Sequence, residues 1–357
     1  MDFEMKNTGG VQSPPDERDF KLDIVAAGSI PDTLPDFVFI NISRLPVWMQ
    51  RKVGACVGHA WGKSQQNCEL EETDNVVPLS ARFLYAMAKG LDQTPGEGTF
   101  PRLVGKILKN YGCATEATVP NDTTLDHETY VYHRDIHNIP EAAFAEATPY
   151  KIDGYAFADV TEEGIKRAIF YAQTKRQGVV MLLQVGDTWW KGTDGVSTWD
   201  AAKILPLRVP ATIISGHEVY PYGYEYKGGR LVIHILNSWS DQWGDHGAGW
   251  FYFDEWQRLI KEIMTSIDGV DVPLPVFVKD LSYGITHPDV LKLQILLNRH
   301  GFQVAQTGPG SPGHESTFFG QMTRQAVMKL QMAYKISPVS GFFGPLTRQV
   351  ANKLSTQ

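Results

Sequence analysis

Cysteine is scarce in this chain: three in 357 residues, at Cys56, Cys68 and Cys113. So low and odd a count excludes the disulfide frameworks of small secreted domains and leaves open a single bridge, Cys68 with Cys113. The cysteine spacing fits no zinc pattern and the ten histidines are scattered, so neither a metal site nor any cofactor is expected. Long apolar runs are absent, and none approaches the roughly 18 residues needed to cross a bilayer. Excess basic charge is missing too. The net charge is −7 with Lys and Arg spread along the chain, which argues against nucleic acid as a partner and against a polybasic membrane anchor. The opening residues, MDFEMKNTGG, are acidic and polar, without the basic and apolar regions of a signal peptide. On that reading action at the cell wall or outside the cell is expected, the chain staying cytoplasmic until released, leaving by a route its sequence does not spell, or standing here without its leader.

What is present is ample core material, 43% hydrophobic and 11% aromatic, over a length that favours two domains. Residues 1–35, rich in Pro, Asp and Gly, read as an extended N-terminal strap without helix. Helical spacing follows over 60–67, 79–90 and 101–111, the last stopping at Gly112, and again over 161–177 from Thr161. Short β-branched or aromatic runs then occupy 179–185, 218–226, 231–236 and 250–253, parted by turns such as Lys227-Gly-Gly-Arg230. Helices first and strands second predict an α+β domain over 36–267 with a cleft between its halves. Residues 268–278 read as a linker. Beyond it, 279–357 form a small all-α three-helix domain with a weak repeat: Phe319-Gly-Gln-Met-Thr323 is echoed by Phe343-Gly-Pro-Leu-Thr347, each Thr opening an amphipathic helix, and 290–298 supply a third.

The chemistry is concentrated in four residues far apart in sequence. Gln50 stands six residues ahead of Cys56, His217 follows much later, and Asn237 opens Asn-Ser-Trp239. A cysteine attacks a carbonyl as thiolate, and its pKa is lowered by a helix N-terminus and a nearby imidazolium. Cys56 follows Gly54-Ala55, where the first long helix should begin. His217 would take and return the proton, Asn237 would orient its ring, and Trp239 would cover their hydrogen bond. Gln50 would donate to the oxyanion beside the Cys56 backbone N–H.

These residues, in this order, resemble the papain family of cysteine peptidases, whose site is Cys-His-Asn. The similarity runs over about 35–255, through Leu79-Ser80, Gly98-Thr-Phe-Pro101, Asn110-Tyr-Gly112, Val179–Gln184 and Leu236-Asn-Ser-Trp-Ser-Asp-Gln-Trp-Gly244. The resemblance implies a two-lobed fold, a helical lobe beside a β-barrel-like one. It implies that Gly98, Thr99 and Gly216 bind the substrate, the first two through backbone hydrogen bonds. It also sets Phe100, Pro101, Leu182 and Glu218 around the pocket for the second residue before the cut. That pocket reads as apolar, with Glu218 able to bias it toward a basic side chain. Departures exist: Val53 stands where many relatives carry a disulfide cysteine, and Val-Gly-His after Cys56 is closer to bacterial members. No helical inhibitory propeptide is visible in the residues before the domain, so zymogen status and occlusion of the cleft by the strap stay open.

From about Val276 onward the chain resembles the peptidoglycan-binding domain of cell-wall hydrolases, through Asp289–Gln294, Leu297–Phe302 and the two Phe-Gly repeats, with Gly308–Gly313 lengthening one loop. Such a module implies tethering to the wall. The combined expectation is a wall-tethered cysteine endopeptidase acting on protein or peptide. Two alternatives stand beside it: a lysin cutting peptidoglycan stem or cross-link peptides, and an inactive wall-binding protein. Cys68, Cys113, His59, His234, His246 and the Trp189-Trp190 pair read as packing or turn residues without chemistry.

Overall fold

Alternation and β-branching generate one antiparallel sheet, and a helix buried along most of its length packs against it. The computed structural model describes residues 8–16, 19–26, 28–50, 53–92, 94, 96–121, 131–132, 134–189, 205–267, 277–312 and 314–354. They divide into two compact units, one drawn from Met1–Pro15 and Ser29–Val270, the other from Asp16–Gly28 and Asp271–Gln357.

A four-residue helix, α1 (Leu22–Val25), corrects the reading of 1–35 as strap throughout. The stretch between Pro15 and Pro31 is proline-free, and Leu22 and Val25 are buried, which gives one turn a reason to form. In the first unit β1 (Val38–Phe39) leads to α2 (Cys56–Thr73), α3 (Ala81–Asp92) and α4 (Pro101–Asn110). After α5 (Glu141–Ala147) and β2 (Gly154–Ala158) comes α6 (Glu162–Lys175), whose N-cap Thr161 accepts the Gly164 N–H. Strands β3 (Val179–Gly186), β4 (Ile213–Lys227), β5 (Arg230–Leu236) and β6 (Ala248–Tyr252) follow, then the short α7 (Phe253–Trp256) and β7 (Ile260–Ile267).

The sheet runs β2-β7-β3-β4-β5-β6, with β1 also on β4. Strands β2 and β7 were not expected. The first is short and carries only Gly, Ala and aromatics, so its burial alternation leaves no polar–apolar pattern in sequence, and the second is buried on both faces and does not alternate. The expected helix at 60–67 is longer in both directions, because α2 is buried from Cys56 to Cys68 and carries polar residues inside. Lys63 lies 3.7 Å over the Trp48 ring and donates to Pro46 O and Gln66 Oε1, while Gln66 Nε2 donates to Val77 O. Burial drags the Lys63 pKa well below its usual value. All three cysteines are free and buried; Cys68 and Cys113 donate to the Ser64 and Ser80 carbonyls, so the open Cys68–Cys113 bridge is absent.

In the second unit the expected three helices form as α8 (Pro288–Arg299), α9 (Gln321–Ala333) and α10 (Pro345–Leu354). The sequence echo has a structural counterpart. Gln294 donates to Thr323 Oγ1 and Phe318 O and accepts from Ser316 N–H; Gln331 donates to Thr347 Oγ1 and Phe342 O and accepts from Gly341 N–H. Each buried glutamine thus ties a helix to the loop and the first turn of the helix that follow it; Thr323 and Thr347 do not open those helices as expected but are their third residues, Gly320 being the N-cap of α9. Most of the predicted linker, 268–276, lies outside the described residues, as does Trp190.

Candidate active site

Cys56 is the first residue of α2, and its N-cap, Ala55, brings no side-chain acceptor, so first-turn N–H groups face the thiol's surroundings. His217 lies on β4 opposite Leu183. Asn237 follows β5, fixed by its own N–H to Gly247 O, where φ is +86°. These placements bring His217 Nε2 to 2.7 Å from Asn237 Oδ1, which also accepts the Ser238 N–H. An acceptor oxygen there selects the tautomer with the proton on Nε2. Nδ1 is left as a bare lone pair, buried and without a hydrogen-bond partner.

Aromatic rings box the imidazole. Trp239 lies 4.5 Å away at 35°, Trp189 stands edge-on at 6.0 Å, and Trp243 and Trp256 back Trp189. Trp189 is therefore core packing, fully buried among these rings. Gln50 is held against the same loop: its N–H donates to Ser238 O, its Oε1 accepts from Ser238 Oγ at 2.6 Å, and its Nε2 donates to Val53 O. His59, one turn into α2, has Nδ1 2.9 Å from Ala55 O and meets Trp48 edge-on. His234 pairs with Glu225, and His246 sits in a turn at φ +51°.

The cleft is occupied by the chain's own N-terminal segment. Gly9 N–H donates to Cys56 Sγ at 3.2 Å, and Gly10 N–H donates to Gly216 O at 3.0 Å. Thr99 donates to Gly9 O and accepts from Val11 N–H, a parallel pairing. Ser215 Oγ donates to Thr8 O. Such close approach needs glycine: a Cβ on Gly9 would stand 1.8 Å from Gly54 O. Farther along, Ser13 donates both its N–H and its hydroxyl to the Glu262 carboxylate.

Enclosure disarms the pair. Burial pushes the Cys56 thiol up to about 12, against opposing hydrogen bonds from the Glu218 and Gly9 backbones. Burial likewise pulls His217 down to about 4, against the bond to Asn237. Thiol and imidazole are both neutral over a wide range around pH 7 in this closed arrangement.

The remaining expected residues lie along the same segment or beneath it. Gly98, Thr99 and Gly216 flank it; Phe100 and Pro101 form the N-cap and first position of α4; Leu182 lies under Gly10; Glu218 is fully buried. Sequence reasoning missed Gly9, Gly10, Ser13 and Glu262. Only the Gly9-Gly10 dipeptide is a local signal, and it reads as a turn.

Comparison with known proteins bears on the fold of each unit. A family model described as a putative peptidoglycan binding domain matches residues 286–350. No curated protein sequence matches the chain. Among solved structures, the chain is similar to xylellain, a cysteine protease from Xylella fastidiosa, at 18% identity and a TM-score of 0.60, covering 76% of this chain and 99% of that one. It is similar to digestive procathepsin L 3 of Tenebrio molitor larval midgut (13%, 0.54, 74% and 77%) and to procathepsin B S9 from Trypanosoma congolense (14%, 0.53, 74% and 87%). The chain thus carries the papain-like fold together with a peptidoglycan-binding module.

Proposed function

We propose that the chain is a cysteine endopeptidase tethered to cell wall by its C-terminal module and at rest in the closed form described above. The observation that carries the reading is the His217–Asn237 pair at 2.7 Å, with Nδ1 unpartnered, together with a thiol at the start of α2, the Cys56 thiol and Gly216 being bonded by the adjacent residues Gly9 and Gly10. In the reaction, the Cys56 S–H proton passes to His217 Nδ1 and the sulfur adds to the scissile carbonyl carbon. The Cys56 N–H and the Gln50 amide receive the oxyanion. The C–N bond breaks as the imidazolium protonates the leaving amine, and water, deprotonated by His217, releases the acid from the thioester. Asn237 keeps the ring in the productive tautomer, and Trp239 shields that bond from water.

The N-terminal segment is not a bound substrate in this reading. It offers the sulfur a backbone N–H donor at Gly9, and withdrawal of that segment rehydrates and arms the pair. Turnover of fluorogenic dipeptide amides, blocked by a thiol-directed epoxide, tests the proposal. Cys56→Ala should abolish both turnover and labelling while keeping the thermal transition; activity retained in Cys56→Ala would overturn it.

The wall-binding match at 286–350 favours a second reading, in which stem or cross-link peptides of peptidoglycan are the substrate. Release of soluble peptides from purified sacculi distinguishes it; intact sacculi alongside cleaved protein substrates would exclude it.

A further inference from the structure

Two loops meet beside the nucleophile, and one face of α3 supports both. Tyr85 and Lys89 are four residues apart on that helix and so project from the same side. Tyr85 packs with Val53 and Ala55, the residues flanking Gly54, and its hydroxyl donates to Glu97 O at 2.8 Å. Lys89 is buried with Asp92, their side chains 3% and 0% exposed. Its ammonium lies within 3.3 Å of six oxygens: both of the Asp92 carboxylate, Thr94 O and Oγ1, Gly96 O and Gly98 O. Asp92 in turn accepts the Thr94 N–H at 2.9 Å. A cation enclosed by carbonyls from successive turns of one loop fixes that loop through charge-assisted bonds.

From the fixed loop the Glu97 carboxylate reaches the turn ahead of the nucleophile and accepts the Gly54 N–H at 3.1 Å. The approach is close, since a Cβ on Gly54 would stand 2.8 Å from Glu97 Cβ. Gly54 lies two residues before Cys56, in the turn where Gln50 Nε2 donates to Val53 O. On the other side of Glu97, Thr99 offers the N–H and C=O that pair with an extended chain, as they do with Gly9 and Val11. Glu97 therefore joins the backbone that pairs with a peptide to the turn that holds both oxyanion donors, Gln50 and the Cys56 N–H. All three cysteines are free, so no disulfide makes this link. A carbonyl registered on Thr99 must fall between donors carried by the other loop, and a displacement of about 1 Å costs on the order of a hundredfold in rate.

We propose that Glu97 is a positioning residue of this reaction, its carboxylate clamping the oxyanion turn at Gly54 to the peptide-pairing backbone at Thr99, with the Lys89 ammonium holding the loop that carries it. The inference rests on the cysteine-peptidase reading and adds to it a residue that touches neither substrate nor thiol.

The test uses full-length Gly9→Ala protein, in which the segment is kept from closing. Fluorogenic dipeptide amides report turnover, and iodoacetamide, which needs a thiolate but no oxyanion site, reports the nucleophile. Glu97→Ala should lower kcat roughly ten- to a hundredfold, with KM and the iodoacetamide rate within about threefold of the parent. Glu97→Gln keeps an amide oxygen for the Gly54 N–H and should restore kcat to within about threefold, a rescue that loss of packing alone would not show. Gly54→Ala wedges the same contact from the other side and should lower kcat as Glu97→Ala does, which guards against a Glu97→Ala variant that fails to fold. An unchanged kcat in both alanine variants, or a Glu97→Gln variant as slow as Glu97→Ala, would overturn the clamp and leave the peptidase standing. So would an iodoacetamide rate that falls in step with kcat, because the nucleophile itself would then be displaced. Inert Cys56 and uncut peptides in the Gly9→Ala parent would instead remove the peptidase reading, and this inference with it.

Discussion

Replacing Gly9 by alanine should open the active site by a predictable amount. In the closed form the new Cβ would lie 1.8 Å from Gly54 O, 2.4 Å from its carbonyl carbon and 2.8 Å from its Cα, all backbone atoms that no side-chain rotation can move aside. Relief requires the segment to retreat by more than an ångström, roughly to the 3.5 Å of an ordinary contact. That displacement breaks at least the two hydrogen bonds made by Gly9 itself, to Cys56 Sγ at 3.2 Å and from Thr99 N–H at 2.9 Å. At about 0.5–1.5 kcal/mol net each, the loss is about 1–3 kcal/mol, or roughly 5- to 150-fold in the open population. The assay is the second-order rate of Cys56 labelling by a thiol-directed epoxide at pH 7.5, with the buried Cys68 and Cys113 as internal controls. Labelling should rise by that factor, since opening both uncovers the sulfur and relieves the burial that pushes its pKa up. A change below twofold, with an unaltered thermal transition, would refute the idea that this segment restrains the thiol.

Closure should be weakened at both pH extremes. Burial holds His217 at about 4, below its ordinary 6.5, so uncovering the ring raises its affinity for a proton and the open form binds more protons as pH falls. The part of that burial supplied by the N-terminal segment, the rest coming from the Trp189 and Trp239 rings, favours the closed form above pH 6.5 and is lost as pH falls through 4. Cys56 acts in the opposite direction, losing closure as pH climbs past its ordinary value of 9.0. Exchange of the Gly9 and Gly10 amides, corrected for intrinsic rate, should therefore be slowest between these limits; slowing on acidification to pH 5 would contradict the assignment. In an open background, Gln50→Ala should lower kcat by roughly 10²–10³ with a much smaller change in KM, as for other oxyanion donors. A KM effect alone would reassign it to substrate binding. Gln331→Ala should destabilise the C-terminal module by about 2–4 kcal/mol, because it strands Phe342 O, Thr347 Oγ1 and Gly341 N–H. A loss under about 1 kcal/mol, measured by thermal unfolding, would mean that water replaces the glutamine.

Residue types and order alone carried the chemistry of the candidate site, because each member has an individual requirement that sequence displays. A thiol needs a helix start, which Gly54-Ala55 announces, and Asn237 sits in a run whose tryptophans are needed to wall off the imidazole. Amphipathic periodicity likewise revealed α4, α6 and the three helices of the C-terminal module, and the echo of Phe319-Gly with Phe343-Gly marked the repeat, though not the twin glutamine ties within it. Tertiary structure alone decided the rest. Strand β7 lacks alternation because both its faces are buried, so Glu262 gave no sign of facing the cleft until the ladder set it beside Leu182. The buried polar residues of α2 look like a solvated face until Trp48, Pro46 and Val77 supply their partners. The N-terminal Gly9-Gly10 reads locally as a turn, and only contacts more than forty residues away in sequence show that it lies across the thiol. Local propensity reports what a residue prefers along its own backbone; it holds no information about which distant segment will be packed against it, and here those distant pairings set the closed state.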